Sequence, residues 1–163
     1  MNPANSESDN PLAALRRGGK ALVTGAAGHL GANMVRRLLA EGIAVRVLLR
    51  RGSDNRAVDD LPVEAVYGDL RDPASLVPAV KGITHVFHCA AKVSTVSGGE
   101  REIYDCNVLG TRNLLRAARA AGCGRVVVTG SLSAVGVPRD DPSRPANEEE
   151  PFYPFEEHLA YEY

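Results

Sequence analysis

Lys20–Gly31 reads KALVTGAAGHLG, a short aliphatic run ending in glycine at 25, with further glycines at 28 and 31. KALVT suits a buried strand. From His29 onward, Leu30, Met34, Val35, Leu38 and Leu39 recur on one face of a helix that Gly42 stops. The glycines therefore stand where a strand turns directly into a helix. A phosphate-binding turn needs a tight bend, bare main chain and close packing of helix on sheet, with the amides at the helix start aimed at the anion. The pattern predicts a nucleotide diphosphate over Gly25, Ala27, Gly28, His29, Leu30 and Gly31. The plainer alternative is a glycine-rich turn.

Working outward, residues 1–19 are a polar leader, expected to be loosely ordered apart from a short helix at Leu12–Arg17, and 20–163 form one domain. Ala44–Leu49 and Val63–Tyr67 read as the second and third strands, separated by a helical stretch around Asn55–Asp60. Asp72–Val80 reads as a helix with Asp72 as cap and Pro73 at its first position. Thr84–Ala90 is the fourth strand, Glu102–Ala121 one long helix, and Arg125–Thr129 the fifth strand. Apolar strands alternating with helices imply parallel pairing through right-handed crossovers. The fold class is α/β: a Rossmann-type doubly wound parallel sheet of about five strands in the order 3-2-1-4-5. Ligands are expected at the carboxyl ends of strands one and four, where the order reverses. Val137–Pro154, rich in proline and acidic residues, reads as a surface loop.

Composition narrows the function. The 163 residues are 44% hydrophobic and 24% charged, with a formal net charge of -1. Nucleic acid and anionic membranes need a clustered positive face, so neither is an expected partner; a small-molecule substrate is. No apolar run approaches the ~18 residues that span a bilayer. The first ten residues lack the hydrophobic core of a signal peptide, which makes the cytoplasm the expected location. Cys89, Cys106 and Cys123 are odd in number and widely spaced, as suits reduced packing residues. His29, His85, His88 and His158 show no ligand spacing, so no metal is expected. His29 is placed beside the phosphates; the others read as structural or exposed.

The second strand should end beside the adenosine ribose. An acid there would accept from the 2′-hydroxyl and repel a 2′-phosphate. This chain has Arg50, then Arg51. A guanidinium pairs with a phosphate in a forked, charge-assisted geometry, so NADP(H) is favoured over NAD(H). The alternative is a solvated strand end. At the end of strand four, Ala90 and Ala91 are small enough for a dinucleotide to lie against the backbone, unless they simply pack under a helix. Lys92 follows in the next loop and could reach the nicotinamide side or be solvated.

The G-x-x-G-x-x-G loop, together with GDLRD at Gly68–Asp72, HVFHCAA at His85–Ala91, NVLGTRNLL at Asn107–Leu115 and RVVVTGSLSAVG at Arg125–Gly136, resembles the extended short-chain dehydrogenase/reductases. Within that superfamily the chain looks like dihydroflavonol-reductase-like and NAD(P)-dependent epimerase/dehydratase proteins, in their N-terminal part. The resemblance implies that Asp69 and Leu70 touch the adenine, and that Asn107 sets the active-site backbone or its water. It implies further that Thr129 ends a cofactor-facing strand and that Ser131 orients a substrate oxygen, with Ser133 the weaker candidate. Tyr161 matches the catalytic tyrosine, with Tyr163 an alternative register. A tyrosine of ordinary pKa near 10 needs an ammonium beside it to work as a base at neutral pH. The family's lysine belongs four residues after the tyrosine, beyond Tyr163. The expected function is hydride transfer on a carbonyl or nucleotide-sugar-like substrate, with this chain the cofactor half. Val93–Gly99 and Phe152–Phe155 are its candidate substrate contacts. Rival readings are a dinucleotide-binding module without turnover, and a fragment needing a partner chain at the edge of strand five. A homodimer is also implied by the resemblance.

Overall fold

A computed structural model describes residues 15–93, 98–131, 138, 141 and 143–149. β1 (Lys20–Thr24) lies at the centre of a five-stranded parallel sheet between β2 (Ala44–Leu49) and β4 (His85–His88). β3 (Glu64–Tyr67) pairs outside β2, and β5 (Arg125–Val128) outside β4. The order β3-β2-β1-β4-β5 is the one the sequence predicts. Three helical regions connect the strands: α1 (His29–Ala40), α2 (Pro73–Val80), and a third made of α3 (Glu100–Tyr104), a π-helical segment (Asp105–Gly110) and α4 (Thr111–Ala120).

The sheet is buried on both faces, so successive strand residues feed two different cores. Ala21 and Val23 of β1 join Val45, Val47 and Leu49 of β2 beneath Val35 and Leu38 of α1. Leu22, Leu48 and Val86 point the other way, onto Leu76 of α2 and Leu114 of α4. Arg46 is the polar exception within β2. Its buried guanidinium donates to the carbonyls of Pro78, Ala79 and Lys81, the orphan acceptors at the end of α2, and pairs with Glu64 at 2.8 Å. Asp72 caps the other end of that helix, as expected, by accepting from the Ala74 amide.

Several expectations change. The long helix starts at Glu100 rather than Glu102, and it widens into the π-helical segment instead of running through. Gly110 ends that segment pressed on Leu70: a Cβ there would lie 2.8 Å from the Leu70 Cβ. Asn55–Asp60 forms turns, not a helix, closed by the Val58 amide on the Asn55 carbonyl and buried through Val58. The leader reading also loses its last residues. Leu15 is only 1% exposed within the α1-side core, and Arg16 pairs with Glu41. At the far edge, Val127 and Val128 of β5 are about half exposed.

Beside the switch point, buried His88 joins three elements. Its Nδ1 lies 2.6 Å from the Thr24 hydroxyl at the end of β1, and its Nε2 lies 2.8 Å from the Thr111 hydroxyl at the start of α4. Burial pushes the His88 pKa below its ordinary value, and His85 moves the same way through burial and Arg125. The unfolded chain therefore binds more protons than the fold just below the ordinary imidazole value of about 6.5. Stability is complete above that value and is lost as the pH falls from it toward the depressed folded pKa. Thermal melts from about pH 8 to about pH 5 should show this loss, and His88→Gln should flatten it. An identical pH slope in the variant would exclude His88 as its source.

Candidate functional site

The carboxyl ends of β1, β2 and β4, with the turn after β3, surround a cleft of about 570 Å³. Its floor is the loop from Gly25 to Gly28. Gly25 has φ of +67°, and a Cβ on it would stand 2.7 Å from the Ala90 Cα and nitrogen. Main chain meets main chain there, so only glycine fits. Gly31 is as constrained from the helix side, because its Cβ would fall 2.1 Å from the Gly25 carbonyl oxygen. Gly28 is different. It is the extended residue that begins α1, and its Cβ would meet nothing nearer than 3.3 Å. Its bare main chain faces the cleft.

α1 starts with no side-chain cap and no acid in its first turn. Its first amides are thus left for an external acceptor, with the positive end of the helix dipole behind them. This is the arrangement the sequence predicts for a diphosphate.

The rim is made of charges. Arg50, just past β2, is exposed, and among the described residues its guanidinium makes no ion pair or hydrogen bond. Arg51 lies over the Tyr67 ring, 5.1 Å from its centroid. Asp69 is gripped by Arg71 through both carboxylate oxygens, at 3.0 and 2.6 Å, and this pairing holds its pKa below the usual carboxylate range. Each Asp69 oxygen keeps lone-pair capacity beyond this pairing, so the carboxylate remains able to accept from a ligand. Arg71 approaches Glu102 at 3.8 Å, and Glu102 pairs with Lys92 at 2.8 Å. The Lys92 pairing, first, and the neighbouring arginines lower the Glu102 pKa.

Below the rim, Asn107 takes both polar groups of the Lys92 backbone. Its Oδ1 accepts from the Lys92 amide at 2.7 Å, and its Nδ2 donates to the Lys92 carbonyl at 2.8 Å. Asn107 stands in the π-helical segment, a feature that recurs at functional sites because the extra residue re-aims a side chain. Asn113 donates to the Leu70 carbonyl and fixes the turn after β3 in the same way.

The cleft thus gathers Gly25, Ala27, Gly28, Arg50, Asp69, Leu70, Ala90, Ala91 and Lys92. It does not gather the others directly. His29 opens α1 on the exposed side, Leu30 is 47% exposed, and Gly31 lies beneath the loop. Asn107 acts through Lys92, and exposed Thr129 extends the β4–β5 pairing by donating to the His88 carbonyl. Ser131 lies half-buried just beyond β5. Ser133, Tyr161, Tyr163, His158, Phe152–Phe155 and residues 94–97 of the Val93–Gly99 loop fall outside the described residues. All three cysteines are free thiols, and Cys89 and Cys106 line the cleft; burial raises the Cys106 pKa. Sequence reasoning missed Ser53, Asp54, Asn55, Arg71 and Glu102 on the cleft wall.

Comparison with known proteins agrees with this geometry. The chain is 50% identical over 141 residues to a sterol demethylase protein B of Methylococcus capsulatus, which covers 86% of this chain and 42% of that protein. It is 43% identical over 118 residues to a putative dihydroflavonol 4-reductase of Synechocystis, covering 72% of this chain and 34% of the other. A short-chain dehydrogenase/reductase superfamily protein from Agrobacterium tumefaciens, solved with bound NAD, superposes with a TM-score of 0.70 at 33% identity over 83% of this chain and 39% of that one. The chain spans less than half the length of each of these proteins. Residues 21–162 match the model of the NAD dependent epimerase/dehydratase family, to which this chain belongs as a cofactor-binding part.

Proposed function

We propose that this chain holds NADP(H) in preference to NAD(H), for an oxidoreductase that passes a hydride to or from a carbonyl or carbinol carbon. Arg50 carries the preference. It stands at the ribose-reading end of β2 and borders both the main cleft and an adjoining hollow of about 530 Å³ that Arg51 and Arg71 also reach. An exposed guanidinium without a partner among the described residues offers a forked, charge-assisted pair to an extra phosphate, where an acid would repel it.

Bound in the cleft, a nicotinamide dinucleotide supplies the hydride donor or acceptor. The chain's own residues do the rest. The amides at the start of α1 hold the diphosphate, Gly28 lets it approach, and Ala90 and Ala91 leave room along β4. Ser131 is the residue we assign to orient the substrate oxygen, and Tyr161 the proton donor or acceptor, both by likeness to the family. The sterol named in the 50% identical relative supports a sterol ketone or carbinol as the substrate class, ahead of a nucleotide sugar.

Calorimetric titration tests the cofactor preference. NADPH should bind about tenfold or more tightly than NADH, and Arg50→Ala should erase that margin while leaving NADH nearly unchanged. Equal or tighter NADH binding by the unaltered chain would overturn it. The glycines separate folding from binding. Gly31→Ala should lower the melting temperature, because a backbone carbonyl occupies the Cβ position. Gly28→Ala should melt close to the parent yet bind either dinucleotide about tenfold more weakly. Unchanged affinity in Gly28→Ala would remove the diphosphate from this loop.

A further inference from the structure

A cleft built for an anion carries an anion of its own. Glu102, from the short helix α3, reaches across to Lys92 at 2.8 Å and to Arg71 at 3.8 Å, and it lines the cleft together with Arg50. Both pairs are exposed, with the Glu102 side chain 47% accessible and those of Lys92 and Arg71 39% and 45%. Pairs this exposed add little to stability and exchange readily with other ions. Nor does Glu102 anchor the loop, since Asn107 already fixes the Lys92 backbone with two hydrogen bonds. An acid that adds little to the fold and does not position the chain, yet occupies the cleft cation Lys92 and stands near an Arg71 that Asp69 already holds, has its effect on the ligand.

We propose that Glu102 is an internal counter-ion, which pairs with Lys92 in the free chain and yields it to the phosphates of an incoming dinucleotide. Binding is then an exchange of anions. Glu102 weakens the dinucleotide's hold and speeds its release. The inference rests on the dinucleotide reading of the cleft, but not on the preference for the extra phosphate.

ADP-ribose, which carries the diphosphate without that extra group, is the probe. Calorimetry at about 20 mM salt should find Glu102→Gln binding it about three- to tenfold more tightly than the parent, with the gain shrinking toward nothing at about 0.5 M salt. Glu102→Asp should stay near the parent value. In a Lys92→Gln background the Glu102→Gln gain should fall by at least half, because the cation that Glu102 gives up is gone. Melting of the ligand-free variants provides the folding control. Equal or weaker ADP-ribose binding by a folded Glu102→Gln chain, or a gain that ignores salt, would overturn the counter-ion role. Failure of the unaltered chain to bind ADP-ribose would instead defeat the dinucleotide reading, and this inference with it.

Discussion

Two main chains touch where β1 and β4 end, Gly25 against Ala90, and the rest of the cleft follows from that contact. Parallel strands on either side of a switch point carry their chains away in opposite directions, which leaves a crevice between the departing loops. How near the crevice floor lies to the sheet depends on how near those loops come. Side chains at Gly25 or Gly31 would force them apart, tilting α1 and moving its first amides off the cleft. His88 ties the same place from below by bonding β1 and α4 through Thr24 and Thr111. The backbone geometry of the floor is thus fixed from both sides before any ligand is considered.

Charge is distributed unevenly over that floor. On the side of β3 and β4, Asp69, Arg71, Glu102 and Lys92 run in alternating sign, so their fields largely cancel at a distance. On the side of β2, Arg50 has no hydrogen-bond or ion-pair partner among the described residues, and α1 adds the positive end of its dipole without a capping acid. An elongated polyanion entering the cleft therefore meets a net attraction at one end and a neutralised rim at the other. Such an imbalance favours an orientation with the more heavily charged end of a polyanion toward β2.

The sheet order and the phosphate loop were legible in the sequence because their signals are local: a strand period, a helix period and glycines at fixed spacing between them. Gly25, Gly28 and Gly31 could be named without coordinates, as could Arg50 at its distance down the chain. Other features depend on contacts that no local pattern records. Leu15 closes a short apolar run beside two arginines and belongs to the core because it packs with the residues of β1, β2 and α1. Arg46 interrupts an apolar strand, and its reason is the end of α2, far along the chain. The π-helical segment exists where Gly110 meets Leu70, and Arg71 turns back to grip Asp69 within the GDLRD motif. Glu102 read as the first residue of a helix; only the fold brings it to Lys92.

The same division separates what this site can change from what it must keep. The proposed diphosphate recognition rests on amides and on the absence of side chains, and every alternative at Gly25 or Gly31 pushes on backbone. The proposed choice between dinucleotides rests on one exposed side chain outside both cores, so replacing Arg50 alters a charge without moving a strand. Recognition of the common part of the ligand is therefore rigid, and recognition of the variable part is soft. A fold arranged this way can pass between cofactors, and between the reductases, epimerases and dehydratases that share it, by substitutions confined to its rim.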